Sequence, residues 1–296
     1  MPTEPPPGAS TPARLAVRKT YKLYLGGAFP RSESGRSYPV TGADGTLLAH
    51  AAHGSRKDVR DAVKAARGAV AGWTKATAYN RGQVVYRVAE MLEGRRAQFV
   101  DEVRAAEGGS ERDAGRQVDA AVDRLVWYAG WADKYAQVAG STNPVAGPYF
   151  SFTLPEPTGV VGVVAPADSS LLGFVSVLAP VIATGNTAVV LAASERPLPA
   201  MSLAEVLATS DVPGGVVNIL TGPVGELAPP LAAHRDVDAL DLTGVPEADR
   251  PALARAAADS VTRVLAPDPT DWFADPGTSR LAAFVEHKTV WHPLGV

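Results

Sequence analysis

Apolar positions change period repeatedly along this chain, and the clearest change runs from Pro157 to Leu198. Gly159 to Ala165 is a short run rich in valine, too short for a helix and suited to a strand buried on both faces. Leu171, Leu172, Val175, Leu178, Ala179 and Ile182 then recur at helical spacing, Gly185-Asn186 ends that helix, and Thr187 to Leu191 begins a second apolar strand. Strand, crossover helix and parallel strand make a βαβ unit of the nucleotide-binding type, whose functional edge is the loop after the first strand, Pro166 to Ser170. Further alternation follows: a helix with Leu203, Val206 and Leu207, a strand Val216–Leu220, a helix Leu227–His234, a strand Val237–Leu242, an Ala-rich helix Glu247–Asp259 and a fifth parallel strand Thr262–Leu265.

Before this unit the pattern predicts a hairpin at Tyr21–Pro30 around Gly26-Gly27 and an extended piece at Arg36–His53. Helices follow: one capped by Ser55 with Asp58, one capped by Asn80, one marked by Phe99, Val100 and Val103, and a long one from Ser110 to about Gln137. Trp127, Trp131 and Tyr135 on that helix read as core or interface residues. Tyr149 to Leu154 alternates as an exposed strand. Ala266 to Ser279 is rich in Pro and Asp, has no period and reads as a connector, after which Leu281 to Leu294 is extended again. Residues 1–20, aperiodic and rich in Pro, Ala, Thr and Gly, are predicted to be a disordered tail.

Composition narrows the chemistry. A net charge of −3 gives no electrostatic reason to expect nucleic acid or an anionic membrane as partner, and no apolar run is long enough to span a bilayer. No signal-peptide pattern opens the chain, so the expected location is the cytoplasm. The chain has no cysteine, which removes thiolate nucleophiles, thiolate metal sites and disulfides. His50 and His53 are spaced like a weak metal pair but read as surface histidines; His234, His287 and His292 form no constellation, and no metal is expected. Ser169 and Ser170 lack the glycines of a nucleophile elbow.

Several motifs in one order resemble the aldehyde dehydrogenase superfamily over nearly the whole chain: Tyr24-Leu25-Gly26-Gly27, Trp127 to Ala132, Glu156 to Gly162, Leu178-Ala179-Pro180, Gly185-Asn186-Thr187, Pro213 to Asn218, Leu242-Thr243-Gly244 and the ending Lys288 to Trp291. The resemblance implies an α/β fold: a Rossmann-like parallel open sheet, an N-terminal helical segment and a small antiparallel oligomerisation sheet. It implies a coenzyme-binding-type domain over 21–140 and 159–265 and an oligomerisation arm over 141–158 and 281–296. The family's catalytic domain would lie between the fifth strand and the terminal strand; here 266–280 stands in its place, as an internal deletion would leave it.

The resemblance also assigns roles. Family chemistry needs a cysteine nucleophile, an asparagine that donates to an oxyanion and a glutamate base. No cysteine is present, Asp168 replaces the asparagine and would repel developing negative charge, and the glutamate's region reads Leu265-Ala266-Pro267-Asp268-Pro269. The implied NAD(P) positions are degenerate: Val164, Pro166, Leu191, Ser194 (with Glu195 one place on), Gly225, Gly244 and Val245. Val245 to Asp249 brings bulk and acid to a phosphate-binding turn, so strong NAD(P) binding is not expected. The leading expectation is a catalytically silent subunit that assembles with a full-length aldehyde dehydrogenase. The alternative is an NAD(P)-binding protein or oxidoreductase working from the coenzyme domain, and a third reading is a decayed gene product.

Overall fold

The computed structural model describes residues 17–267 and 270–295. Most of the expected tail and two residues of the connector, Asp268 and Pro269, lie outside the described residues. In chain order the elements are β1 (Thr20–Tyr21), β2 (Ser37–Thr41), β3 (Leu47–Ala52), α1 (Arg56–Lys75), α2 (Ala78–Glu93), α3 (Arg96–Glu107), α4 (Glu111–Trp131), α5 (Tyr135–Ala139), β4 (Ser141–Asn143) and β5 (Tyr149–Pro157). There follow β6 (Val160–Val164), α6 (Leu172–Ala183), β7 (Thr187–Leu191), α7 (Leu198–Leu207), β8 (Val217–Leu220), α8 (Val224–Ala232), β9 (Ala239–Asp241), α9 (Arg250–Ala258), β10 (Arg263–Leu265), α10 (Ser279–Ala283) and β11 (Val285–Pro293).

The βαβ unit forms as its pattern requires. β6 and β7 pair in parallel from Val160↔Thr187 to Val164↔Leu191, and the central sheet has five parallel strands in the order β10-β9-β6-β7-β8. Because every residue of β6 and β7 is buried, alternation along them sorts side chains between two apolar layers rather than between core and water. Val161, Val163, Ala188 and Val190 join the layer of α2, α3, α4, α6 and α7. Val160, Val164, Val189 and Leu191 join the layer of α1, α8 and α9.

Motif residues fix this frame from within. Asn186, fully buried, accepts from the Gly159 amide at 2.7 Å and donates to the Phe284 carbonyl at 2.8 Å, tying the start of β6 to the chain's last segment. Asn218 accepts from the Gly26 amide at 2.9 Å. Gly26 and Gly27 turn with φ of +62° and +85°, and a β-carbon on Gly214 would meet the Gly26 carbonyl oxygen at 2.6 Å, so that contact needs glycine.

Some boundaries differ from the reading of the pattern. The Gly26-Gly27 turn is closed by a Leu25–Ala28 bridge, but Thr20 and Tyr21 pair in parallel with His50 and Ala51 of β3 instead of with the turn's far side. Ser55 caps α1 with Asp58 as expected, whereas α2 is capped by Thr77; its hydroxyl accepts the Asn80 amide, placing Asn80 in the first turn. The long helix from Ser110 ends at Trp131, where Ala132 bonds back to Ala129 in a tighter turn and Tyr135 opens the separate α5. The helix expected from Glu247 starts at Arg250, after a turn.

β5 and β11 pair antiparallel over nine residues, from Tyr149↔Pro293 to Pro157↔Val285, and β4 adds a third strand in the order β11-β5-β4. One face of this sheet carries Phe150, Phe152, Leu154 and Val290, of which Phe150 is 46% and Leu154 45% exposed.

Candidate functional site

The residues singled out from the sequence gather at the carboxyl edge of the central sheet, in two places. Leu191 is the last residue of β7, packed inside the sheet against its partners Val164 and Leu220. Just beyond it the Ser194 hydroxyl donates to the Gly222 carbonyl at 2.7 Å and accepts the Val224 amide at 3.2 Å, so Ser194 caps the start of α8. Gly225, in the first turn of α8, has open space around it. An open groove of about 690 Å³ lies here, lined by Tyr38, His53, Ser194, Glu195, Arg196 and Val224 among others. His53 Nε2 stands 3.3 Å from Glu226 across its rim. Burial pushes the Tyr38 phenol above its usual range.

The second place is the crevice between β6 and β9. Pro166 follows β6 and packs on Gly173. The buried hydroxyls of Ser169 and Ser170 are tied to neighbouring helices: Ser169 donates to Gln117 at 3.3 Å, and Ser170 donates to Glu107 at 2.6 Å. Those bonds give them structural work. Asp168 is exposed and accepts the Trp272 indole N–H on Oδ1 at 3.2 Å. Gly244 lies so close to β6 that a β-carbon on it would sit 2.0 Å from the Ala165 carbonyl oxygen, and Val245 is buried in the α1–α8–α9 layer.

Pattern reading singles out none of Asp241, Arg280 and Trp272, which meet here. Asp241, the last residue of β9, is fully buried. Its Oδ2 accepts from Arg280 at 2.8 Å, and its Oδ1 accepts from both the amide and the hydroxyl of Thr243. Burial pushes the Asp241 carboxyl above the usual range, against the opposing pull of Arg280 and Thr243. Arg280 lies over the Trp272 ring at 5.9 Å, and Arg124 donates to the carbonyls of Trp272 and Ala274 at 2.8 and 3.0 Å. A lone Asp in the apolar run Ala239 to Leu242 was the one available hint.

A profile of the aldehyde dehydrogenase family matches residues 30–266. The chain belongs to that family. It is 32% identical over 249 residues to mitochondrial aldehyde dehydrogenase of Rattus norvegicus, covering 82% of this chain and 47% of the relative. It is 31% identical over 294 residues to aldehyde dehydrogenase 1A1 of the same species, covering 95% and 57%. Among solved structures, HpcC from Thermus thermophilus superposes with a TM-score of 0.78 at 31% identity, over 83% of this chain and 47% of that one. An NAD+ complex of aldehyde dehydrogenase from Bacillus cereus gives 0.78 at 26% identity, over 83% and 50%. The chain therefore spans about half the length of the relatives it matches.

Tested as a dinucleotide site, this edge offers two parts, the groove beside Ser194 and the crevice between β6 and β9. The groove end is open. The crevice end does not fit, because Trp272, only 8% exposed, lies against Gly173 and bonds Asp168. The turn where α9 begins adds exposed Glu247 and Asp249. Chemically, an ionised Asp168 accepts hydrogen bonds and cannot donate one to an oxyanion, and the sequence supplies no thiolate.

Proposed function

We propose that this chain works in the cytoplasm as a non-catalytic, aldehyde-dehydrogenase-like subunit that assembles with a full-length relative through its arm. One observation carries the reading: the β11-β5-β4 sheet leaves Phe150, Phe152, Leu154 and Val290 on an open face, and β11 is an edge strand of nine residues. A long edge strand is a template for strand addition by another polypeptide, and the same partner could cover the apolar side chains beside it on the open face. The acceptor at position 168 and the lack of cysteine favour a supporting role over a reacting one.

The test is co-expression with a full-length relative, a tag on one chain only, and gel filtration of the captured material. The two chains are expected to migrate together, and Phe150→Asp with Leu154→Asp to abolish this while leaving stability within about 0.5 kcal/mol. Separate migration of folded chains would overturn the proposal, as would oxidation of an aldehyde by the isolated chain above the blank.

A second reading, an NAD(P)-binding protein, is favoured by the open groove beside Ser194 and Glu195. Saturable quenching on titration with a dinucleotide would support it.

A further inference from the structure

In an open α/β sheet, ligands enter the crevice outside the strand ends where successive connections leave in opposite directions. Here that point lies between β6, which connects through α6 to β7, and β9, which connects through α9 to the opposite edge strand β10. The chain's own connector is already there. Trp272 meets the loop after β6 at Asp168, and Arg280 meets the end of β9 at Asp241 and Thr243. The segment thus gives each crevice acid a donor and fills the space between with an aromatic ring.

The two ends of this segment are held unequally. The Arg280 end is anchored by the buried ion pair and by Leu281 and Phe284, both fully buried. The Trp272 end is held by packing of its ring in the core, by one bond to an exposed carboxylate and by two backbone carbonyls that accept from Arg124. Between them stand Pro276 and Gly277, the glycine at φ +58° with nothing within 4 Å of where a β-carbon would be. Gly277 is thus a free pivot, and turning about it would give up the packing of the Trp272 ring while leaving Leu281 and Phe284 in place.

We propose that residues 270–280 are an autoinhibitory strap: the Trp272 limb occupies the crevice, competes with a planar aromatic ligand for it, and lifts about Pro276-Gly277 while the Arg280 limb stays in place. The strap can fail while the subunit still associates through its arm, and the reverse.

The test is titration of the full chain with NADH and with ADP-ribose, which lacks the aromatic ring at the crevice end. NADH is expected to bind Trp272→Ala at least about tenfold more tightly than wild type, which is what one hydrogen bond to a charged group is worth. Trp272→Phe keeps a ring but loses the indole N–H, so it is expected to tighten NADH only as far as loss of the Asp168 tether does, and ADP-ribose to bind all three chains alike. Asp168→Ala keeps the ring but removes its tether and serves should Trp272→Ala not fold; it is expected to tighten NADH, whereas Asp168→Asn, which keeps the acceptor, is not. Equal NADH affinity in wild type and the folded Ala variants would overturn the proposal. So would the absence of NADH binding to them.

Discussion

Replacing Arg280 by methionine keeps most of the stem's volume and removes the cation paired with Asp241. Both side chains are well inside, 12% and 0% exposed, so solvent screens the pair little. Breaking a buried pair by deleting one partner costs about 3–5 kcal/mol, because the remaining charge is left uncompensated. Thr243 still gives Asp241 Oδ1 two donors, so the lower end applies, about 3 kcal/mol. At about 2 °C per kcal/mol for a chain of this size, the melting temperature should fall by roughly 6 °C. The pH dependence carries the sharper signature. An acid whose folded pKa is raised contributes fully below its unfolded value, and that contribution is lost as pH rises towards the folded value. Burial raises Asp241 already, and losing Arg280 raises it further, so the gap between wild type and R280M should widen as pH rises past the wild type's own raised value towards neutrality. Urea unfolding at a series of pH values measures this directly, with unchanged m reporting an intact two-state transition. A gap under about 1 kcal/mol at neutral pH, or one that does not move with pH, would refute the argument.

Gly244→Ala places a β-carbon 2.0 Å from the Ala165 carbonyl oxygen, and since backbone cannot give way as a side chain can, a loss of about 3 kcal/mol or failure to fold is expected by calorimetry. Ser194→Ala removes the acceptor at the start of α8 and the donor to Gly222, so urea unfolding should show a loss of about 1 kcal/mol. Asp58→Ala should cost more, about 2–4 kcal/mol in the same assay, because the buried carboxylate receives the Ser55 and Glu33 amides and the Ser32 hydroxyl together.

What could be read from the chain was whatever local order dictates. The valine run of β6 and the stripe of α6 announce a βαβ unit because each is set by neighbours a few residues away, and Ser55 with Asp58 announces a helix start for the same reason. Thr77 and Asn80 are both good cap formers, so choosing between them needed the extended backbone at Thr77. The crevice was illegible for a different reason. Asp168 and Trp272 are 104 positions apart, and the second lies in a segment with no period, so no window of sequence contains the contact.

The same geometry ties the crevice to the arm. The Asn186 side chain takes the Gly159 amide just before β6 and gives a hydrogen bond to the Phe284 carbonyl, and the residue after Phe284 begins β11. Arg263, on edge strand β10, donates to the carbonyls of Ala283 and Val285 at 3.2 and 2.6 Å. The short α10 carries Arg280 and Leu281, so the anchored limb of the strap and the root of β11 are one rigid piece held to the central sheet. A partner strand added to β11 would therefore pull on a root already fixed, and the force would stop at Phe284 instead of reaching Trp272. Arm docking and crevice opening are on that account independent, and the Trp272 variants should associate with a full-length relative as wild type does.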